Sequence, residues 1–286
     1  MFYDNRRIVM INISMSPILK WAGGKTQLLS AITERLPETY ETYYEPFVGG
    51  AALLFNIAPQ KAVINDVNAQ LVNLYRQIRD NTEEVISIVN ELDSVLCTPE
   101  RYYEMRDKYN FKLNLEVLDA ECAADMIWLN KHCFNGLYRV NAKGLFNVPY
   151  NNKVQGKSIS EDNIRAIGEY LNSCDVTILC GDFEKACEQV TPDDFVYFDS
   201  PYVPEGETAD FTSYTKSGFP YEEHVRLANL FKRLDAQGTK LMLSNNDVPL
   251  VRELYDGFNI QHLDVKRMIN SNAAKRNGKE VLITNY

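Results

Sequence analysis

Short apolar or alternating runs recur along the chain, and each is bounded by turn residues. Runs of this kind are typical of β-strands, and they occupy residues 43–47, 62–64, 176–180, 195–198, 240–243, 260–263 and 281–284. Between many of them lie helical patterns, for example at residues 69–78 and 222–234. Strands that alternate with helices predict an α/β fold with a mostly parallel twisted sheet. Only a basic loop separates the last two runs, so we expect them to pair as an antiparallel hairpin.

The alternation of strands and helices breaks between residues 99 and 171. This stretch is first rich in helix formers and then becomes a segment punctuated by Gly, Asn and Pro around residues 135–156. We interpret it as an inserted, mainly helical second domain over residues 99–171. The catalytic, cofactor-binding domain then comprises residues 16–98 and 172–286, and residues 1–15 form an N-terminal extension.

The composition, 45% hydrophobic and 24% charged residues, is ordinary for a soluble globular protein. No stretch reaches the roughly 18 uninterrupted apolar residues that a membrane span requires. No small-residue cleavage site follows the apolar run near residue 10, which argues against a signal peptide. The six cysteines show no paired zinc-type spacing, and the three histidines are scattered. We therefore expect a cytoplasmic protein with reduced thiols, no metal site and no membrane partner.

The net charge of −9 argues mildly against nucleic acid as a partner, but the distribution of charge changes that picture. Residues 126–160 and 265–279 contain no acidic residue. The basic residues of these two windows are Lys131, Arg139, Lys143, Lys153 and Lys157, followed by Lys266, Arg267, Lys275, Arg276 and Lys279. Such windows predict two surfaces that face phosphates. The alternative is two solvated loops that happen to lack carboxylates.

A glycine-containing turn follows the first predicted strand. Residues 46–51 read Pro-Phe-Val-Gly-Gly-Ala, and Asp66 ends the next strand. Glycines in such a turn let the backbone approach a cofactor closely, and the acid can bind ribose hydroxyls. This pairing alone does not distinguish a nicotinamide dinucleotide site from an S-adenosylmethionine site, and a purely structural turn also explains the glycines.

Residues 20–26, Lys-Trp-Ala-Gly-Gly-Lys-Thr, end like a phosphate-binding loop. That motif requires a glycine five residues before Gly24, where this chain has Leu19. No hydrophobic strand of useful length precedes the segment either. The sequence therefore disfavours a nucleotide hydrolase.

An acidic residue, a proline and an aromatic residue closely follow the predicted strand at residues 195–198. Residues 199–202 read Asp-Ser-Pro-Tyr. An aspartate at the end of a buried strand is consistent with a simple helix cap or a metal ligand. The aromatic ring of Tyr202 favours a more specific interpretation, in which a flat group is held by stacking while the Asp199 carboxylate contacts its edge.

These segments, in this order, resemble the Dam-type, D12-class family of DNA adenine-N6 methyltransferases. In that family a K-W-A-G-G-K segment opens the chain, followed by E-P-F-x-G-x-G, N-D, a recognition insert and D-P-P-Y. The resemblance extends from about residue 17 to residue 286. It includes residues 181–183 (Gly-Asp-Phe), 243–245 (Leu-Ser-Asn) and 280–283 (Glu-Val-Leu-Ile). It implies the fold of S-adenosylmethionine-dependent methyltransferases and double-stranded DNA as the partner.

The resemblance also implies a role for each matching residue. S-adenosylmethionine would be bound by Trp21, Lys25, Phe47, Gly49, Asp66, Asp182, Phe183 and Asp199. Within that set, Asp66 would hold the ribose, while Asp182 and Phe183 would bracket the adenine ring. The target base would meet the catalytic segment Asp199, Ser200, Pro201 and Tyr202.

The insert matches the members of the family that modify GATC, in which a hairpin enters the DNA. The implied DNA-recognition residues are Phe134, Asn135, Leu137, Arg139, Asn141 and Pro149. Arg139 would read a guanine, because a planar guanidinium suits the guanine acceptors of the major groove. Phe134 and Asn135 would fill the gap left by the flipped base or contact its orphaned partner. A cognate restriction endonuclease acting separately is a further implied partner, and a solitary enzyme is the alternative.

Two positions depart from the family pattern. Ala51 stands at the third glycine position of the cofactor turn, and Ser200 replaces the first of the two prolines. Serine keeps the backbone carbonyl but loses the fixed φ of proline, and its hydroxyl is able to compete for Asp199. We expect slower turnover with cofactor binding largely intact. The alternatives are a catalytically inactive DNA-binding protein, a methyltransferase for cytosine N4 or RNA, and a nicotinamide-dependent oxidoreductase.

Overall fold

The computed structural model describes residues 14–25, 28–204, 218–266 and 277–286. Most of the predicted N-terminal extension (1–15), Thr26 and most of the second basic window (265–279) lie outside these ranges. Side chains are described throughout these ranges except at residues 264–266 and 277–278.

A mixed, mostly parallel sheet forms the centre of the fold. Its strands are β1 (Tyr43–Glu45), β2 (Lys61–Asp66), β3 (Asp175–Cys180), β4 (Phe195–Phe198), β5 (Lys240–Asn246), β6 (Asn259–Lys266) and β7 (Asn277–Thr284). Their order is β3-β2-β1-β4-β5-β7-β6. The pairs among β1 to β5 are all parallel, and β7 is antiparallel to both β5 and β6. The predicted α/β sheet and its closing antiparallel hairpin are therefore confirmed.

Helices connect most of these strands, and several begin at a capping residue. They are α1 (Leu29–Thr33), α2 (Ala52–Ile57), α3 (Ala69–Asp80), α4 (Thr82–Asp93), α5 (Pro99–Asn114), α6 (Ala120–His132), α7 (Glu161–Ser173), α8 (Phe183–Ala186), α9 (Tyr221–Ala236) and α10 (Pro249–Leu254). Five of them, α3 to α7, lie between β2 and β3. The side chains of Asn68, Thr98 and Asp119 accept hydrogen bonds from first-turn amides of α3, α5 and α6. Such caps satisfy amides that have no partner within the helix.

The strands divide their side chains between two hydrophobic cores, because successive residues of a strand point to opposite faces. Tyr43 and Tyr197 belong to the core that α3 to α7 cover. Tyr44 and Phe198 belong to the core on the other face, which α9 and α10 cover. The sheet is therefore the middle of three layers, which is why β4 is buried along its whole length.

The helices of the predicted insert share the first core with the sheet. Tyr102 of α5 and Trp128 of α6 lie in the same buried cluster as Ile64 of β2. Helix α6 packs against α3 and α4, and α7 packs against α3 and β3. The division into an insert at residues 99–171 stays a prediction. None of the helices within the described ranges is long and apolar enough to cross a bilayer.

The strand order reverses direction between β1 and β4. From β1 the chain proceeds outward through β2 to β3, and then returns to place β4 on the other side of β1. In open α/β sheets, ligands bind in the crevice outside the carboxyl ends of the strands at such a reversal. The turns after β1, β2, β3 and β4 therefore meet at one edge of the sheet.

Candidate active site

A cleft of about 950 Å³ opens at that edge. This volume is within the range of small-molecule sites in proteins. All three segments selected from the sequence line the cleft, and so do residues 181–183 after β3. The structure thus brings together every residue predicted to bind the cofactor or the target base.

The glycine turn after β1 is held by the acid at the end of β2. The Gly49 amide donates to Asp66 Oδ2 at 3.1 Å, and the Tyr75 hydroxyl donates to the Gly49 carbonyl at 2.6 Å. Gly49 has a φ of +46°, and a Cβ placed there would lie 3.0 Å from Trp21 Cδ1. Glycine therefore lets the turn take a left-handed conformation and lets the indole of Trp21 approach it closely.

Ala51, which departs from the family pattern, is fully buried and takes a left-handed conformation at φ 56° and ψ 31°. That conformation costs an L-residue about 1–2 kcal/mol relative to the right-handed helical region. The backbone geometry explains why the family has glycine there. The methyl group is accommodated within the hydrophobic core.

Asn65 connects three of the converging turns by hydrogen bonds. Its side-chain Nδ2 donates to the Pro46 carbonyl at 2.9 Å and to the Gly181 carbonyl at 3.0 Å, while its backbone carbonyl accepts from the Val48 amide at 2.8 Å. The side chain is buried. The family resemblance implied a role only for its neighbour Asp66, although the Asn-Asp pair is part of the family pattern.

An aromatic group lines the cleft beside β3. The rings of Phe47 and Phe183 have centroids 5.2 Å apart, and Phe219 lies 5.8 Å from Phe47. The Arg226 guanidinium stacks on Phe183 at 5.0 Å and pairs with Asp182 at 3.0 Å. Partial burial acts to raise the pKa of Asp182, but the hydrogen bond and charge of Arg226, together with backbone amides of α8, outweigh it and hold the pKa below its ordinary value. No motif in the sequence pointed to Arg226 or Phe219.

Asp199 lies at the other end of the cleft and accepts two hydrogen bonds on the same oxygen. Lys25 Nζ lies 2.6 Å from Asp199 Oδ1, and Ser244 Oγ lies 3.0 Å from it. Burial raises the pKa of Asp199, while the charge of Lys25 and the Ser244 hydroxyl act to lower it. Lys25 Nζ also donates to the Gly23 carbonyl at 2.6 Å and lies 4.4 Å from the centroid of the Tyr202 ring.

The residues after Asp199 are held against the sheet. The Tyr202 hydroxyl donates to Glu280 Oε2 on β7 at 2.8 Å, while Pro201 is exposed. Ser200 is 2% exposed, and its Oγ has no hydrogen-bond partner among the residues that the structure describes. In this structure the Ser200 hydroxyl therefore does not compete for Asp199.

Two residues at the end of β5 hold the loop after β4 by hydrogen bonds. Asn245 Oδ1 accepts from the Val203 amide at 3.0 Å, and Asn246 Nδ2 donates to the Val203 carbonyl at 2.6 Å. Both asparagines are buried. Residues 243–245 match the family pattern, but their sequence alone implied no role for them.

Glu45, at the end of β1, is a further ionisable group beneath the cleft. Burial raises its pKa to about 8, and the nearby charge of Asp199 acts in the same direction. The Tyr43 hydroxyl donates to its Oε2 at 2.8 Å. The carboxyl group is therefore mainly protonated at neutral pH, so that Asp199 does not face a second buried negative charge.

The six predicted DNA-recognition residues lie on a single hairpin between α6 and α7. Two isolated bridges, Cys133 with Tyr150 and Val140 with Phe146, hold its two arms together. Leu137 is half-buried. The exposed members of the set are Phe134, Asn135, Arg139, Asn141 and Pro149. The five basic residues of the first acid-free window are exposed as well.

This hairpin is attached to the cleft at two points. Tyr138 stacks on Trp21 with ring centroids 5.2 Å apart, at an interplanar angle of 22°. Asn130 Nδ2 donates to the Lys20 carbonyl at 3.0 Å and to the Gly136 carbonyl at 2.9 Å. The exposed basic hairpin and the cofactor-type turn are therefore parts of one packed assembly.

Comparison with known proteins agrees with this geometry. A family model of the D12 class N6 adenine-specific DNA methyltransferases matches residues 21–269. The chain is 45% identical over 276 residues to the type II methyltransferase M1.LlaDCHI of Lactococcus lactis subsp. cremoris, with 96% of each chain covered. It is 42% identical to the type II methyltransferase M.MjaIII of Methanocaldococcus jannaschii, covering 96% of this chain and 100% of the relative. The DNA adenine methylase of Escherichia coli K12 is 30% identical, with 94% of each chain covered.

Proposed function

Because the chain belongs to the D12 class of N6 adenine-specific DNA methyltransferases, we propose that it methylates an adenine flipped out of double-stranded DNA, within the sequence GATC. S-adenosylmethionine is the methyl donor of this class. One observation carries the proposal furthest: a single cleft joins the glycine turn and Asp66 to the Asp199 carboxylate. A donor molecule and a target base therefore have adjoining places in it.

The residues of the cleft fit S-adenosylmethionine. Because Gly49 has no Cβ, the indole of Trp21 packs directly on the turn, and the Asp66 carboxylate beside it suits ribose hydroxyls. Phe47 and Phe183 offer aromatic surface for the adenine ring, with Asp182 at its edge, and Lys25 completes the site near Asp199. When bound, S-adenosylmethionine supplies an electrophilic methyl group on a sulfonium sulfur.

Asp199 would activate the target amine by position and charge. An exocyclic amine is a poor nucleophile, because its lone pair is delocalised into the ring. Hydrogen bonds from N6 to the Asp199 carboxylate and to the Ser200 carbonyl would draw the nitrogen toward tetrahedral geometry and aim the lone pair at the methyl group. Such positioning and preorganised charge supply much of the rate enhancement in enzymes.

Base flipping brings the adenine to this site, because the target atom is out of reach inside a duplex. Extrusion costs a few kcal/mol. Tyr202 would stack on the extruded base and recover about 1–3 kcal/mol, the usual value for a base on an aromatic ring. The hydrogen bond from Tyr202 to Glu280 fixes the ring in advance.

The hairpin would read the DNA sequence. Arg139 contacts a guanine of GATC, and Phe134 and Asn135 occupy the space that the flipped base leaves. Leu137, Asn141 and Pro149 complete the contact surface. Relatives named as type II methyltransferases favour a cognate restriction endonuclease that acts separately, over a solitary enzyme, and we place this enzyme in the cytoplasm.

Incubation with S-adenosylmethionine and two duplexes, one with GATC and one with the same bases scrambled, tests the proposal. Mass spectrometry of the digested nucleosides should find N6-methyladenine only in the GATC duplex. N6-methyladenine in both duplexes would exclude GATC as the recognition sequence. No methylation by protein that binds both the cofactor and the DNA would favour the binding-only alternative.

Ser200 is expected to slow the reaction. Two substitutions separate the effect of the missing fixed φ from the effect of the serine hydroxyl. Ser200→Pro restores the fixed φ and should raise the turnover rate several-fold. Ser200→Ala removes only the buried hydroxyl that has no partner among the described residues, so it should stabilise the fold by about 1 kcal/mol without changing turnover. Steady-state kinetics and thermal unfolding of both variants measure these effects. A turnover rate unchanged by proline would show that serine does not attenuate the enzyme.

A further inference from the structure

Asp199 is held by a pair of buried hydroxyl groups that the mechanism above does not use. Ser244 Oγ donates to Asp199 Oδ1 at 3.0 Å, and the Tyr197 hydroxyl lies 3.0 Å from Ser244 Oγ. Ser244 is 1% exposed and Tyr197 is 0% exposed. Water therefore has little access to either hydroxyl, and the two bonds have no solvent competitor.

The direction of these bonds follows from counting protons. A serine hydroxyl has one proton to donate, and an ionised carboxylate only accepts. Because Ser244 gives its proton to Asp199, the Tyr197 hydroxyl must donate to Ser244. Burial raises the pKa of Tyr197 well above its ordinary value, so the phenol retains the proton that this chain of bonds requires.

The two oxygens of Asp199 are not equivalent. Lys25 and Ser244 both bind Oδ1. Oδ2 has no hydrogen-bond partner within the described residues, and the Asp199 side chain, which is 19% exposed, lines the cleft. Oδ2 is therefore the oxygen that an incoming amine is able to reach.

Both hydroxyl groups of the pair belong to strands of the central sheet. Strands β4 and β5 are neighbours, and Phe198 pairs with Leu243. The residues that follow this pair, Asp199 and Ser244, therefore lie side by side. Tyr197 lies on β4 itself. Lys25, by contrast, reaches Asp199 from the segment before α1, outside the sheet. Groups on strands and helices hold a site more precisely than groups on loops do.

We propose that Ser244, oriented by Tyr197, is a positioning residue that clamps Oδ1 of Asp199 and thereby presents the ionised Oδ2 to the target amine. This inference rests on the proposed function for its consequence in catalysis. Its physical content, the orientation and charge of Asp199, exists whether or not a methyl group is transferred.

The test compares Ser244→Ala and Tyr197→Phe with a matched control, Thr239→Val. Thr239 is also buried, immediately before β5, and its hydroxyl donates to the Thr191 carbonyl at 3.0 Å, remote from Asp199. Each of the three changes removes one buried hydroxyl and keeps most of the side-chain volume. Loss of stability alone would therefore affect all three variants in a similar way.

We expect Ser244→Ala to lower the single-turnover methylation rate about 10- to 100-fold, the usual effect of losing a hydrogen bond to a charged group. Tyr197→Phe should have a smaller effect in the same direction, and Thr239→Val should have none. Cofactor affinity should stay unchanged in all three. The acidic limb of the pH–rate profile should move to higher pH in Ser244→Ala, because Asp199 loses a donor that favours its charged form.

A second readout does not depend on activity. Carboxyl ¹³C NMR of protein labelled at aspartate, with the Asp199 signal assigned by comparison with Asp199→Asn, measures the pKa of Asp199 directly. A higher pKa in Ser244→Ala than in wild type supports the inference, even if wild type methylates no DNA and the proposed function fails. An unchanged pKa in Ser244→Ala would overturn it, even if the wild-type enzyme is active.

Discussion

Asp199→Asn is expected to lower the rate of adenine methylation by about 10²–10³-fold, the usual cost of removing one preorganised electrostatic group from an active site. The amide keeps the shape of the side chain but loses the negative charge that draws the N6 hydrogens. Its NH₂ group, if directed at the amine, would also repel them. Single-turnover rates at saturating DNA and cofactor measure this loss.

The same substitution should also destabilise the protein, because it leaves Lys25 without its counter-ion. The side chains of Lys25 and Asp199 are 6% and 19% exposed. Removal of one partner of a buried pair costs about 3–5 kcal/mol, and we expect the lower end, since the Gly23 carbonyl still accepts from Lys25. Thermal unfolding gives the size of this effect.

A matched control separates the two consequences. Asp194 lies at the opposite end of β4, is 3% exposed, and accepts hydrogen bonds from the amides of Thr42 at 3.0 Å and Thr191 at 2.8 Å. Asp194→Asn should destabilise the fold but leave the methylation rate of the folded fraction unchanged. Equal rate losses in both variants would show that folding, and not the charge of Asp199, accounts for the loss of activity.

The convergence of the main site segments could be predicted from the sequence because it depends on topology. Once residues 46–51, Asp66 and residues 199–202 are placed after parallel strands, the reversal of strand order brings them to one edge of the sheet. The antiparallel pairing of β6 with β7 followed similarly from the short connection between them. These inferences need only the order and direction of the elements.

The contacts that prepare the site depend instead on pairwise geometry between distant residues. Ser244 binds Asp199 across 45 positions of sequence, and Asn65 binds the Gly181 carbonyl across 116. Strand register decides which side chains meet, and neither hydropathy nor spacing encodes it. The protonation of Glu45 is of the same kind, because its raised pKa arises from burial in the folded core.

The conformational reason for the family pattern could not be predicted from the sequence either. The departure at Ala51 was visible as a residue type, but the left-handed φ that makes glycine favourable there belongs to the folded turn. The stacking of Tyr138 on Trp21 could not be anticipated either. That contact places the residue next to Arg139 against the cleft.

Arg139→Ala is expected to relax the preference for GATC about 10- to 100-fold, since one bidentate arginine–guanine contact is worth about 1–3 kcal/mol of discrimination. Asn147 already orients the exposed guanidinium: Nε donates to Asn147 Oδ1 at 2.8 Å, and Nη2 donates to the Asn147 carbonyl at 3.4 Å. Nη1 and the second N–H of Nη2 remain to form the fork that guanine O6 and N7 accept. Methylation rates on GATC and on duplexes with the guanine replaced measure the preference.

Lys143→Ala provides the control for charge, because Lys143 is an exposed basic residue of the same hairpin. It should weaken binding to all sequences alike and reduce the salt dependence of affinity by about one phosphate contact. A duplex with 7-deazaguanine in GATC makes the comparison atom-specific, since it lacks only the N7 acceptor. Wild type and Lys143→Ala should both lose activity on that duplex, whereas Arg139→Ala should be insensitive to it. If Arg139→Ala instead loses affinity uniformly and still distinguishes the two guanines, Arg139 contacts a phosphate, and the guanine is read by another side chain of the hairpin.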